Sequence, residues 1–335
     1  MNSLLADNNA SDEQARRLFI TYSCFGPIAR ICLKTIIVES EERYNQSLVE
    51  YLRKVDLEIQ CYIANGGRIT FDNKLPHQSS HKMALMRPID GGLSYTPRIA
   101  TRWLAYRVYE RALRRSQDDC FTLYKHLSGQ RSLRSSAGCF FEGYVHEWLQ
   151  DGGSFLADMI PIENQNLLQL RFNIEKIELD SPNHFSTPES LFNMVKTRGG
   201  RGIRESAISK YFRPVSRNYP SIDGLLFRDS KTLVLLQMTI AHKHSIKPHG
   251  VAELLKALPM VITNVYIVFV VPEDCSESYA RAQSIPNVAE MCTRRKNLQV
   301  KQFRLVFNDE DIQKVVVQGP SIQLEEDDDE DSFSE

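Results

Sequence analysis

Two apolar segments joined by a short polar turn constrain this chain more than any other feature. Ser221 to Phe227 and Thr232 to Ala241 are strand-like runs, linked by Arg228-Asp229-Ser230-Lys231. A turn that short makes the two strands antiparallel neighbours. Polar groups interrupt both runs: Asp223 in the first, Gln237 and Thr239 in the second. Side chains alternate faces along a strand, so Gln237 and Thr239 share one face and Asp223 can lie across from Gln237. Burying such groups without partners costs roughly 2–7 kcal/mol. A divalent cation would be one partner, because a carboxylate and an amide carbonyl suit a hard ion such as Mg²⁺.

The surrounding pattern extends the hairpin into a domain. Gly138 to Gln150 reads as a helix with Phe141, Val145, Trp148 and Leu149 on its buried side, stopped by Gly152-Gly153. Strand-like runs follow at Phe155 to Ile162 and Leu168 to Ile177. Residues 180–217 are rich in Pro, Gly, Ser and Arg and read as an irregular insertion. After the hairpin, Pro248 opens a helix over Gly250 to Met260, then come strands at Asn264 to Val271 and Val300 to Val306. A hairpin combined with a helical crossover predicts an α/β fold with a mixed central sheet.

The N-terminal part reads as helical. Residues 13–65 carry Leu48, Leu52, Val55 and Ile59 at near-helical spacing, His77 to Gly92 reads as loop, and a second helix is expected from Thr96 to Ser116. We therefore expect a helical segment over 1–92, a basic helical linker over 93–135, the α/β domain over 136–318 and an acidic tail over 319–335.

Charge patterning bears on partners. The chain has 41 Lys and Arg against 42 Asp and Glu, yet eight of those acids and no base lie in the last eleven residues, so the rest carries +7. The near-neutral total therefore does not exclude an anionic partner. No run of 18 apolar residues exists, so no membrane span is expected, and the polar N-terminus shows no standard secretory signal. The seven cysteines are scattered without a CxxC pair and read as reduced structural thiols.

These segments carry a resemblance. A helix with Glu142, a hairpin presenting Asp223 and Gln237, then a helix and a strand resemble the PD-(D/E)XK restriction-endonuclease-like superfamily. More narrowly, Phe-Phe-Glu-Gly-Tyr-Val-His-Glu (140–147), Pro-Ser-Ile-Asp-Gly (220–224) and Leu-Gln-Met-Thr-Ile-Ala-His-Lys-His-Ser-Ile-Lys (236–247) are similar to the nuclease-like domain of Crinkler/RHS-type effectors. The likeness covers roughly residues 95–275. It implies a metal-dependent nuclease acting on nucleic acid, DNA rather than RNA, in a host nucleus, with Asp223, Gln237 and Glu142 holding Mg²⁺. The position of the family's Lys is Thr239, a departure; Lys243, His244, Lys247 and His242, just beyond the strand, could substitute for it, the first two ahead of the others. A pseudo-nuclease that binds nucleic acid or a host protein without cutting is the alternative. Phe25 to Arg30 resembles a segment late in the family's NTPase module, but the chain has no GxxxxGK[ST] loop, so no ATP is expected.

Basic residues supply the expected nucleic-acid surface. Arg102, Arg107, Arg111 and Arg114 lie along the predicted helix, and Lys196, Arg198, Arg201 and Arg204 sit among glycines in the insertion. Phosphate contacts from such groups give sequence-independent affinity.

Overall fold

The computed structural model describes residues 11–27, 32, 40–67, 82–89, 94–130, 133–160, 168–177, 183–216, 219–220, 222–283 and 297–311. The acidic tail, Arg30, Arg131 and the triplet Arg294-Arg295-Lys296 lie outside them.

The N-terminal region contains α1 (Asp12–Phe25) and α2 (Glu41–Ala64). Ser11 caps α1 and bonds reciprocally with Gln14, and Ser40 caps α2. The next elements are β1 (Ala84–Ile89) and β2 (Ser94–Ile99), which pair antiparallel from Ala84↔Ile99 to Ile89↔Ser94. This corrects the sequence reading, which placed a loop over His77 to Gly92 and began a helix at Thr96. Pro88, Pro97 and Gly91-Gly92 signal a loop in sequence. A two-stranded ribbon consists only of edge strands, and there proline is tolerated.

Two helices follow: α3 (Arg102–Arg115) and α4 (Gln117–Gly129). Thr101 caps α3, its Oγ1 accepting from the Leu104 amide and donating to the Cys24 carbonyl at 2.6 Å. That second bond ties the start of α3 to the end of α1. Then come α5 (Arg134–Gln150), β3 (Gly153–Met159) and β4 (Gln169–Ile174). The region expected to be irregular is partly ordered as β5 (His184–Phe185), α6 (Pro188–Val195) and β6 (Tyr211–Pro214). Thr187 caps α6, with Pro188 in its first turn and Ser190 completing a reciprocal cap. The remaining elements are β7 (Gly224–Asp229), β8 (Thr232–Met238), α7 (Pro248–Ala257), β9 (Asn264–Pro272) and β10 (Gln299–Phe307).

Eight strands form one mixed sheet in the order β4-β3-β10-β9-β8-β7-β6-β5. The β7–β8 pair is antiparallel, as the short turn predicts, and β8–β9 and β9–β10 are parallel. The fold is therefore α/β with a mixed central sheet. Every residue of β8 is buried, as a strand covered on both faces requires. Leu233 and Leu235 enter one apolar cluster with α6 and α7; Val234, Leu236 and Met238 enter the other with α3, α4 and α5. The second cluster also takes in Phe25, Val55 and Ile59, so α1 and α2 share a core with the sheet.

Candidate functional site

The sheet register brings the hairpin's polar groups together. Gly224 pairs with Leu236, which sets Asp223 opposite Gln237. The Asp223 amide donates to the Leu236 carbonyl at 2.9 Å. In return, Asp223 Oδ2 accepts from Gln237 Nε2 at 2.5 Å and from the Met238 amide at 2.7 Å. Gln237 Oε1 is buried with no hydrogen-bond partner. Such a group is expected to find a ligand, water or ion.

Two glycines let the third residue approach. A Cβ on Gly143 would lie 2.5 Å from the Tyr109 ring, so α3 and α5 pack closely only because position 143 is bare. A Cβ on Gly224 would lie 2.6 Å from Tyr211 Cζ. Tyr211 in turn hydrogen-bonds His146 Nδ1 at 2.6 Å, and His146 Nε2 is 3.6 Å from Glu142 Oε1. His146 is buried, and burial followed by the nearby Arg213 charge pushes its pKa down to about 4. It is therefore neutral at pH 7. With Tyr211 donating to Nδ1, the ring proton sits on Nε2 and faces Glu142.

Arg102, the first residue of α3, closes the arrangement. Its Nη2 bonds Glu142 Oε2 and lies 3.9 Å from Asp223 Oδ1. The guanidinium thus stands between the two carboxyl groups. Burial alone would raise the Glu142 pKa, but the His146 hydrogen bond and the Arg102 charge outweigh it and hold the carboxyl below its usual range. Asp223 behaves oppositely. Burial and the Glu142 charge raise its pKa to about 8, with Arg102 offsetting only part. One acid is charged at neutral pH and its neighbour carries a proton, a pairing common in acid–base sites.

Arg102, Glu142, Asp223 and Gln237 line one cavity of about 400 Å³ at the carboxyl end of β8, with His146 and Tyr211 packed behind Glu142. Glu142, Asp223, Gln237, Thr239 and His244 share it with Arg98, Arg102 and Arg134. Ligands commonly bind at such strand ends. Arg134 Nη2 donates to the Ile240 carbonyl at 3.0 Å and so fixes the segment after β8. The Nε atoms of Arg98 and Arg102 are buried without a hydrogen-bond partner. Three arginines against one ionised carboxylate leave the lining positive at neutral pH. The first turn of α5, which also lines the cavity, has no side-chain cap and adds its partial positive charge.

The other expected residues divide between the cavity and the rest of the surface. Lys243 is exposed and is not among the cavity residues, whereas His244 is, with its pKa lowered by burial and by Lys247 and Arg102. Thr239 Oγ1 accepts from the Ala241 amide at 3.1 Å and shapes the turn after β8. Arg107 and Arg111 bind Asp56 of α2 at 2.7–2.9 Å. Arg114 is exposed, as are Lys196, Arg198, Arg201 and Arg204, and none of the five lines the cavity. Sequence reasoning did not single out Arg98, which the structure places in β2 rather than in the helix expected from Thr96, nor Tyr211, whose link to His146 is made only by folding.

Two carboxyl groups and an orphaned amide oxygen are hard oxygen donors of the kind Mg²⁺ takes. Among the described residues no group of three or more His, Cys, Asp and Glu is placed to hold a metal. The amide of Gln237 is therefore a necessary member of any such set, and Arg102 would compete with the cation for both carboxyl groups.

No protein-family model matches the chain, and neither a curated protein nor a solved structure gives a match. Among the described residues no helix is long and apolar enough to cross a membrane.

Proposed function

We propose that the protein is a nuclease-type protein that engages a nucleic-acid phosphodiester in this cavity and, with Mg²⁺, cleaves it. The observation that carries the reading is convergence. Glu142 from α5, Asp223 before β7 and Gln237 from β8 line the same cavity as three arginines. Asp223, Gln237 Oε1 and Glu142 would hold Mg²⁺. A bound magnesium ion supplies polarisation of a phosphoryl oxygen and of water.

The chain's own groups do the rest. Arg98 and Arg134 offer charge-assisted hydrogen bonds to phosphate oxygens. Arg102 neutralises Glu142, and His146, held by Tyr211, fixes the orientation of that carboxylate. Asp223 carries a proton near neutral pH and must release it to accept a cation.

A second reading is binding without cleavage. It is favoured by Arg102 standing between the carboxyl groups and by Thr239 in place of a lysine. One experiment separates the two: incubation of plasmid with Mg²⁺ and either wild type or Asp223→Ala. Cleavage by wild type alone supports the nuclease reading. Cleavage that survives the substitution removes the site. Salt-dependent binding without cleavage transfers the assignment to the second reading.

A further inference from the structure

A second hollow of about 640 Å³ adjoins the cavity, and Thr101 and Arg102 line both. Phe19 and Tyr22 of α1 and Trp103 of α3 form its aromatic part. Phe19 is 66% exposed and Tyr22 is 39% exposed. They are three residues apart and so share one face of α1, while Leu18, Thr21 and Phe25 turn into the core. Val215, which follows β6, is 63% exposed at the same hollow. Among the described residues Phe19 and Tyr22 belong to neither apolar cluster, whereas Trp103 packs on Phe25.

The chemistry that fits both hollows at once is a nucleotide. A base has apolar π faces that stack on Phe, Tyr or Trp, and its phosphate needs arginines. The two features are adjacent and joined through Arg102, whose guanidinium reaches Glu142. In a duplex the bases are stacked against each other and cannot reach such a platform; in a single strand they can. The cavity, at about 400 Å³, also has the size of a small-ligand site.

Resting on the nucleic-acid reading of the cavity, we infer that Phe19 and Tyr22 are a base-stacking platform and that the ligand is single-stranded nucleic acid. The platform sets the strand so that a phosphate enters between Arg98, Arg102 and Arg134. Selection for unpaired strands then resides in α1, not in the 196–204 basic loop.

The test uses the full chain with a fluorescein-labelled single-stranded DNA oligonucleotide and its duplex, read by anisotropy in EDTA so that no cleavage intervenes. Wild type should bind the single strand at least about tenfold more tightly than the duplex. Phe19→Ala combined with Tyr22→Ala should weaken single-strand binding about tenfold and leave duplex binding and the circular-dichroism melt unchanged. Equal affinity for both probes, or no change in the double variant, overturns the platform while the proposed function stands. Failure to bind either probe removes the proposed function and the platform together. A wild-type dimer that becomes monomeric in the double variant on sedimentation also overturns it, assigning the surface to a second copy of the chain.

Discussion

Asp223→Asn should make the protein more stable, and increasingly so as the pH rises. The side chain is 9% exposed, and burial with the Glu142 charge lifts its pKa from 3.8 to about 8. The protonated carboxyl is the form the fold prefers. Its stabilisation is present in full below the ordinary carboxylate value near 4, and is lost as the pH rises toward 8, because the unfolded chain ionises first. One group shifts stability by at most about 1.4 kcal/mol per pH unit, which gives a ceiling of about 4 kcal/mol between pH 5 and pH 8. Glu142 and Arg102 share the titration, so a difference of about 2–3 kcal/mol is expected. Asparagine keeps an oxygen to accept from Gln237 Nε2 and the Met238 amide, and it cannot ionise. Urea denaturation of both proteins at pH 5, 6.5 and 8, in EDTA, measures the gap. The advantage of the variant should widen with pH. A constant gap, or one that narrows toward pH 8, refutes the assignment of a proton to Asp223.

Other substitutions probe the same network. Arg102→Ala leaves Glu142, only 7% exposed, without its cation. It should cost about 2–3 kcal/mol at pH 7 and less as the pH falls and acid protonates the carboxyl, as urea melts will show. Gly143→Ala forces a methyl against the Tyr109 ring and should cost about 1–3 kcal/mol, read as a lower thermal midpoint. Tyr211→Phe removes the hydroxyl that His146 Nδ1 accepts from, and should cost about 1–2 kcal/mol in the same assay.

The hairpin was legible because its information is local. A short turn fixes the pairing, alternation fixes the faces, and Asp223 then falls opposite Gln237 without knowledge of the rest. Glu142 was legible only through the resemblance, since an acid on an amphipathic helix is ordinarily solvated. What the sequence hides is long-range. Arg102 reaches Glu142 across 40 residues, and Tyr211 reaches His146 across 65. Neither contact leaves a periodic trace. The β1–β2 ribbon was hidden by its own prolines, which mark edges in strands and loops alike. The arginines of α3 show the limit of reading charge as surface. Arg107 and Arg111 form an ion-pair joint with Asp56, and Arg102 faces the cavity.

The most direct test of the central claim is where a bound strand protects the backbone. Hydrogen–deuterium exchange of the full chain, with and without a single-stranded oligonucleotide in EDTA, locates it. The account predicts slower exchange at the start of α3 around Thr101 and Arg102, in the first turn of α5, and in the segment from Thr239 to His244. Protection confined to the 196–204 loop, with those three segments unchanged, would contradict it.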